Sequence, residues 1–473
     1  MSAAVGGSDR PTIARCSRTG PSRAALGLWF ALVVSLSTLA GGARAEEAPA
    51  DSALGAYVRS LSDSTDSWFG STAAPLDTTG LDSALVAGLA KPPGSPGHSG
   101  SGSQRRKLSF GYGPALGFNR ADGAQLGGTG SMSVPRAGQL SARAQYTTGT
   151  HDLLGEGAWT RSWGLPRWKS RAVFKAAAGR WTEAFDRDHF DPFYATFNAL
   201  AYGGDRHQYV RRDGFRASLR VGRDQGSLTA QWRDQLESAL PYTTDWVLFG
   251  GDPVLPYNTA AAHGRAREWS LHADAGVPGT RFRVNGQYWT SDPRIGSDFL
   301  YRRYELSTGG DISLGQHFAL VPQVMFGRLR GDALPQEALF LGGVSSLRTL
   351  DRNQLAATGR AFARADLVLV DDLRDLLHLP LPAWLPLQSG VFVASGAAWG
   401  RDPVSGAAVA TLRDAPHREE WLSEAGIGVS WRPGIPDPLM SLRLEYTWPI
   451  GPDDRDTKWT ISFQRLVNVM PGR

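Results

Sequence analysis

From Leu108 onward, apolar and polar residues alternate along the chain with a period of two. The alternation is seen in the segments 140–147, 215–221, 269–275, 441–448 and 458–464. It places apolar side chains on one face of a β-strand and polar side chains on the other, whereas an amphipathic helix needs spacings of three and four residues. The pattern therefore predicts an all-β protein.

We predict about sixteen strands in this part of the chain. Their starts are expected near residues 107, 124, 139, 154, 170, 213, 226, 266, 280, 301, 316, 358, 388, 423, 440 and 457. Most long connections follow odd-numbered strands, and most connections after even-numbered strands are short, as in outer-membrane barrels. Trp and Tyr residues fall at strand ends, where an interface girdle lies. The sequence predicts a transmembrane antiparallel β-barrel, with a water-soluble β protein as the alternative.

The first 45 residues have the pattern of a secretory signal peptide. An Arg-containing start precedes the apolar run 25–40, and Ala43-Arg44-Ala45 resembles a cleavage site. Cleavage there would lower the formal net charge from +5 to about +1 and remove Cys16, the single Cys of the chain. An exported chain without a concentrated basic patch gives no reason to expect a nucleic-acid partner.

Residues 46–106 differ from the strand region. They end in a Gly/Ser/Pro linker over residues 92–103. An even strand count would put this short segment in the periplasm. The expected domains are therefore a signal peptide over 1–45, a periplasmic segment and linker over 46–106, and an outer-membrane β-barrel over 107–473.

One even-strand connection, residues 371–388, is unusually long. Leu373, Leu376, Leu377 and Trp384 suit an amphipathic piece at the membrane interface. A long turn stiffened by Pro explains the same residues equally well, and the sequence does not separate the two interpretations.

The stretch from Leu339 to the C-terminus resembles the bacterial surface-antigen superfamily of outer-membrane assembly barrels, of the BamA/TamA type. The residues that carry the likeness are Gly342, Gly343, Leu347 and Arg348, between the predicted strands 11 and 12, and Phe392 and Gly396 in the predicted strand 13. In that family the loop before strand 12 folds back into the lumen, and its arginine packs against strand 13.

The chain departs from the family pattern in several places. Thr349 and Leu350 replace the Gly and the aromatic residue after the loop arginine, and Ala394 replaces the strand-13 acid. A buried arginine still needs acceptors; Glu424, Glu445, Asp366 and backbone carbonyls are all candidates. Recognisable POTRA modules, which usually precede the family's barrel, are not found.

A search for catalytic motifs gives no strong candidate. The chain has no nucleophile elbow, no H-E-x-x-H and no cysteine-based metal site. The densest acid and histidine cluster is 186–191, which is more typical of a solvated loop. Ser270, His272 and Asp274 share a strand face but are too far apart along it for a triad. We expect no enzyme, no cofactor and no metal.

The resemblance implies a role in the insertion or translocation of other proteins at the bacterial outer membrane. The expected partners are outer-membrane lipid and client outer-membrane or secreted proteins. Gly and Pro in the first predicted strand suit a weak seam between the first and last strands. A porin-like channel is the alternative, and an inserted loop over 329–356 would obstruct it.

Overall fold

The structure is a computed structural model. It describes residues 108–134, 136–186, 196, 199, 207–223, 225–241, 244, 258–278, 280–382, 386–409, 415–431, 440–451 and 454–465. The predicted signal peptide and the segment 46–106 lie outside the described residues.

Sixteen long strands make up most of the described chain and begin close to the predicted positions. They are β1 Ser109–Asn119, β2 Gly123–Val134, β3 Gly138–Thr147, β4 Leu153–Leu165, β5 Ser170–Ala184, β6 Tyr209–Arg223, β7 Gly226–Ala239, β8 Gly264–Gly276, β9 Arg283–Ser291, β10 Tyr301–Gly309, β11 Phe318–Gly331, β12 Gly359–Leu369, β13 Leu387–Arg401, β14 Leu422–Trp431, β15 Met440–Ile450 and β16 Lys458–Arg465. The prediction of an all-β protein with about sixteen strands is confirmed.

Each long strand pairs antiparallel with the next one along the chain, from β1–β2 to β15–β16. The short strands Ile312–Leu314 and Ala408–Val409 extend this sheet to eighteen strands. Leu339–Leu341 and Leu355–Ala357 form a separate two-stranded hairpin. The order is an up-and-down meander, the topology of membrane barrels.

The two faces of the sheet have opposite chemistry. On β7, Arg233 and Glu237 are buried on the inner face, while Leu228 and Leu236 are exposed on the outer face. The same division holds along β6, β8, β10, β12, β14 and β15, whereas the buried face of β13 carries Phe392 and Ala394. Charged side chains thus line the interior and apolar side chains cover the outer wall, as in a barrel with a lipid-facing surface.

The connections differ in length between the two ends of the barrel. The end reached by odd-numbered strands, here called the odd-strand end, has long connections after β5, β7, β11 and β13. The even-strand end has the short turns 135–137, 166–169 and 224–225. This alternation agrees with the one expected from the sequence.

The connection between β12 and β13 is the long exception at the even-strand end. It contains one short helix, α1 Leu373–Leu376, and Leu376 and Leu377 are exposed. Trp384 lies outside the described residues, so the choice between an interfacial piece and a long turn stays undecided. None of the helices in the described ranges has the length and apolar character that crossing a bilayer requires.

Candidate functional site

The connection 332–358 between β11 and β12, here called the lumen loop, lies against the inner face of the barrel. Its side chains Leu341, Leu347 and Leu350 join Phe362 of β12 and Phe392 of β13 in one buried apolar cluster. The apolar side chains of this cluster are shielded from water only while the loop stays against the wall, so their burial favours that position. The lumen loop therefore occupies the interior beside β11 to β13.

Two consecutive glycines start the turn that carries the loop arginine. Gly342 and Gly343 have φ angles of 124° and 91°, in the region that favours glycine. A Cβ on Gly342 would lie 2.3 Å from the carbonyl oxygen of Asp351. The N–H of Gly343 donates to the carbonyl of Leu347 at 2.9 Å. The glycines thus permit a tight turn that returns the chain to the wall at Arg348.

Arg348 lies in the barrel interior and is 2% exposed. Its Nε is 2.5 Å from Oε2 of Glu445, on β15. The guanidinium also lies over the ring of Phe392, with its carbon 5.1 Å from the ring centroid. Glu445 is shared, because Arg443 and Arg364 reach its other oxygen at 2.8 and 3.0 Å.

A second carboxylate holds the backbone beside the arginine. Glu424, on β14, accepts hydrogen bonds from the backbone N–H groups of Arg348 and Thr349, each at 2.9 Å. The Thr349 hydroxyl donates to the same carboxylate at 2.8 Å. Thr349 therefore takes part in the contact that fixes the loop.

The three carboxylates predicted as acceptors have separate roles. Glu445 pairs with the Arg348 side chain and Glu424 binds the backbone. Asp366 instead pairs with Arg364 at 2.6 Å and with Arg443 at 2.7 Å. Alternating charges of this kind compensate one another inside the barrel.

The residues predicted in strand 13 lie beside the loop on β13. The Phe392 ring lies over Gly426 of the next strand, where a Cβ would be 2.4 Å from the ring. A Cβ on Gly396 would lie 3.2 Å from Leu341 of the lumen loop. Small residues at these two positions leave room for the ring and for the loop.

A further anchor of the loop, at Glu337, was not predicted from the sequence. Glu337 is 1% exposed and lies 3.1 Å from Arg303 on β10 and 3.7 Å from Arg212 on β6. The neighbouring Gln336 donates to Glu237 of β7 at 2.8 Å. A polar Gln-Glu pair inside the apolar run 334–341 is the signal that could have indicated it.

The odd-strand end contributes another contact to the loop. Arg352 lies 3.6 Å from Asp186, and Asp186 lies 2.7 Å from Nδ1 of His207. Burial alone opposes ionisation of Asp186, but His207 and Arg352 outweigh it and hold the pKa of this carboxyl well below its usual range. The remaining residues of the predicted 186–191 cluster lie outside the described residues.

The polar residues that were considered as candidates for catalysis have other contacts where the structure describes them. Asp274 is paired with Arg283, and the His272 ring meets the Trp289 ring edge-on at 5.1 Å. Among the residues that the structure describes, no group of three or more His, Cys, Asp or Glu could hold a metal ion. What the arrangement can do is retain or release the lumen loop.

Comparisons with known proteins give similar folds at low sequence identity. No family model matches the chain, and no curated protein does either. A solved structure of BamA from Haemophilus ducreyi lacking POTRA domains 1–3 is similar, with 12% identity, a TM-score of 0.48 and coverage of 76% of this chain and 70% of that one.

Two solved structures of CdiB are similar as well. The one from Acinetobacter baumannii has 10% identity and a TM-score of 0.36, over 75% of this chain and 59% of that chain. The one from Escherichia coli has 13% identity and a TM-score of 0.38, over 75% of this chain and 61% of that chain. This chain thus spans about three-fifths of the length of either CdiB.

Proposed function

We propose that this chain is a bacterial outer-membrane β-barrel that assists the insertion or translocation of other proteins. Its partners are then the lipid of that membrane and client outer-membrane or secreted proteins. The observation that carries the proposal is the lumen loop, which lies inside the barrel and is held there through Arg348, Glu445 and Glu424.

The outer wall supports a membrane location. Leu271, Leu306, Val391 and Ile427 are exposed on the outer face of separate strands. Removing such a surface from water stabilises a barrel in a bilayer. The even-strand end, with its short turns, then faces the periplasm together with residues 46–106.

The occupied interior argues against the alternative of a porin-like channel. A porin needs a wet passage along its axis, whereas here Leu347 and Arg348 and their neighbours fill the space beside β11 to β13. The proposal also assigns no catalytic step to the barrel. Assistance to a client protein is therefore assigned to the wall of the barrel, and in particular to its terminal strands.

The first strand has the composition of a weak ladder partner. β1 contains Gly111, Gly113 and Pro114, and proline supplies no N–H to a ladder. Phe110 and Tyr112 alternate with these glycines and are strongly exposed. Such a strand is suited to exchange its neighbour for a client strand by β-augmentation.

The test strengthens β1 and measures client folding. The variant Gly113→Thr/Pro114→Val raises strand propensity, and a Cβ on Gly113 has room, 3.9 Å from the nearest Thr129 atom. The barrel is reconstituted in liposomes, and the folding rate of an unfolded outer-membrane barrel is followed by its heat-modifiable gel mobility. We expect wild type to accelerate folding and the variant to accelerate it less.

The matched control is Gly157→Thr in β4, where an added Cβ meets nothing within 4 Å. This change should leave the client rate unaltered, because β4 is flanked by two stable neighbours. The proposal would be contradicted if the wild-type barrel did not accelerate client folding. It would also be contradicted if Gly157→Thr lowered the client folding rate as much as Gly113→Thr/Pro114→Val does.

A further inference from the structure

The β4–β5 hairpin has an unusual composition over residues 157–182. This stretch contains no Asp or Glu. Its cations are Arg161, Arg167, Lys169, Arg171, Lys175 and Arg180, and its tryptophans are Trp159, Trp163, Trp168 and Trp181. Arg180, at the opposite end of the hairpin, is paired with Asp213 of β6. At the even-strand end, Arg281 has Asp311 at 2.7 Å and Arg374 has Asp375 at 2.8 Å. The tip of the hairpin is, by contrast, a basic and aromatic region with no carboxylate of its own.

The tip of the hairpin projects at the even-strand end. β4 ends at Leu165, and a 3₁₀ turn, Pro166–Trp168, leads to Lys169. Arg167 and Lys169 are exposed, and so is Trp168, at 65%. Cations and an indole thus share one turn at the level where the wall meets the headgroups.

Arg161 lies on the outer face of the wall itself. It is exposed, and it lies between Trp159 and Trp163, which are exposed on the same face. Its cross-strand partner is Phe174, whose ring meets Trp159 edge-on at 5.6 Å. Within the described residues no carboxylate pairs with Arg161, Arg167 or Lys169. A cation on a lipid-facing surface needs an anion from outside the protein.

We propose that the tip of the β4–β5 hairpin, formed by Arg161, Trp163, Arg167, Trp168 and Lys169, binds the phosphate headgroup of an anionic glycerophospholipid. The inference rests on the membrane location given above. The cations complement the phosphate and the indoles lie at the boundary between headgroups and acyl chains.

The direction of these side chains favours a lipid over an acidic segment of a client. Arg161 and Trp163 face outward on the same surface as the apolar wall, and not into the interior. A peptide passing through the barrel would meet the inner face, where Arg216 is already paired with Glu156. The outward cluster is reached from the bilayer.

The test places a reporter beside the cluster. Ala137, exposed in the adjoining β2–β3 turn, is changed to Cys in a Cys16→Ser background and labelled with a fluorophore. A matched reporter is Gln316→Cys, exposed in the β10–β11 turn of the same end. The full chain is placed in phosphatidylcholine bilayers that contain a spin-labelled quencher lipid, either phosphatidylglycerol or phosphatidylcholine.

The label at Ala137 should be quenched more strongly by phosphatidylglycerol, and the label at Gln316 equally by both lipids. One basic side chain near the surface favours an anionic lipid by about fivefold, so Arg161→Gln/Arg167→Gln should lower the preference about 25-fold. Arg281→Gln/Arg374→Gln removes two cations that have carboxylate partners at the same end, and it should lower the preference far less. Added salt should weaken the preference.

Equal quenching by the two lipids at Ala137, or a preference that survives the Arg161→Gln/Arg167→Gln change, would overturn the lipid-binding inference. The proposed membrane location would still stand. If the label instead responds only to a soluble polyglutamate peptide, the cluster binds acidic segments and the lipid assignment is wrong. No quenching at either reporter would mean that the chain is not in the bilayer, which overturns the membrane location and this inference with it.

Discussion

Replacing Arg348 with Ala should release the lumen loop without unfolding the barrel. Glu445 loses one partner but keeps Arg443 at 2.8 Å and Arg364 at 3.0 Å. No buried carboxylate is left uncompensated, so the loss is that of one ion pair out of three, about 2 kcal/mol, below the cost of a buried charge left unpaired. At tenfold per 1.4 kcal/mol, the released population should rise about 30-fold.

Replacing Glu445 with Gln should be more damaging, although it removes the other half of the same pair. Arg364 and Arg443 keep Asp366 at 2.6 and 2.7 Å. Arg348, however, loses the carboxylate it is paired with, in a site where Glu445 is 0% exposed. A buried charge left without compensation costs about 3–5 kcal/mol. The order of the two variants therefore follows because Glu445 has two further arginines, whereas the Arg348 guanidinium is paired with Glu445 alone among the ion pairs of the described residues.

Two assays separate loop release from unfolding. Single-channel recording measures the fraction of time that the barrel conducts, and thermal unfolding measures the stability of the wall. Arg348→Ala should conduct more often with a nearly unchanged midpoint, while Glu445→Gln should also lower the midpoint. Arg302→Ala, an exposed arginine, is the control. Wild-type behaviour of Arg348→Ala, or a larger effect than that of Glu445→Gln, would refute the reasoning.

Three further predictions concern the loop and its contacts. Gly342→Ala should expose the loop to protease and lower stability by about 1–3 kcal/mol, because its φ is left-handed and the Cβ would lie 2.3 Å from the Asp351 carbonyl. Glu337→Ala should raise the conducting fraction, and its combination with Arg348→Ala should exceed either change alone, since the two anchors contact different strands. Asp186→Asn should lower the unfolding midpoint by a constant amount above about pH 5. The difference should shrink below about pH 4, because a carboxylate with a depressed native pKa loses its contribution as the pH falls.

Each of these changes has a control on a similar residue. Gly406→Ala tests the backbone alone, since Gly406 has a φ of 71° and an added Cβ there meets nothing within 4 Å. Glu419→Ala and Asp375→Asn remove exposed carboxylates. Equal effects of a control and its partner would show that the buried contacts are not responsible.

The strands of the barrel wall could be predicted because the environment of each residue depends mainly on its position within its own strand. In a two-faced strand each residue meets either lipid or the interior, so Leu442 to Trp448 alternates visibly in the sequence. The strand starts followed from this period and from the turns between the segments. The inward position of the lumen loop was expected from the resemblance carried by Gly342-Gly343 and Arg348, which the strand count places in the long connection after β11.

The partners inside the barrel could not be chosen from the sequence. Glu424, Glu445 and Asp366 are all inward on neighbouring strands, and only the curvature of the sheet decides which one meets Arg348. The anchor at Glu337 joins residues far apart in the chain, such as Arg212 and Arg303. Contacts of this kind depend on how the sheet curves in three dimensions, and the alternation of apolar and polar residues along one strand carries no information about that curvature.

The most direct test of the account is the single-channel conductance of the reconstituted chain, intact and with residues 333–352 deleted. The deletion removes both anchors, Glu337 and Arg348, while β11 and β12 remain. We expect the intact protein to be nearly closed and the deletion variant to conduct as a wide pore. Equal conductance of the two proteins would mean that the loop does not fill the interior, and it would contradict the proposed function in favour of a channel.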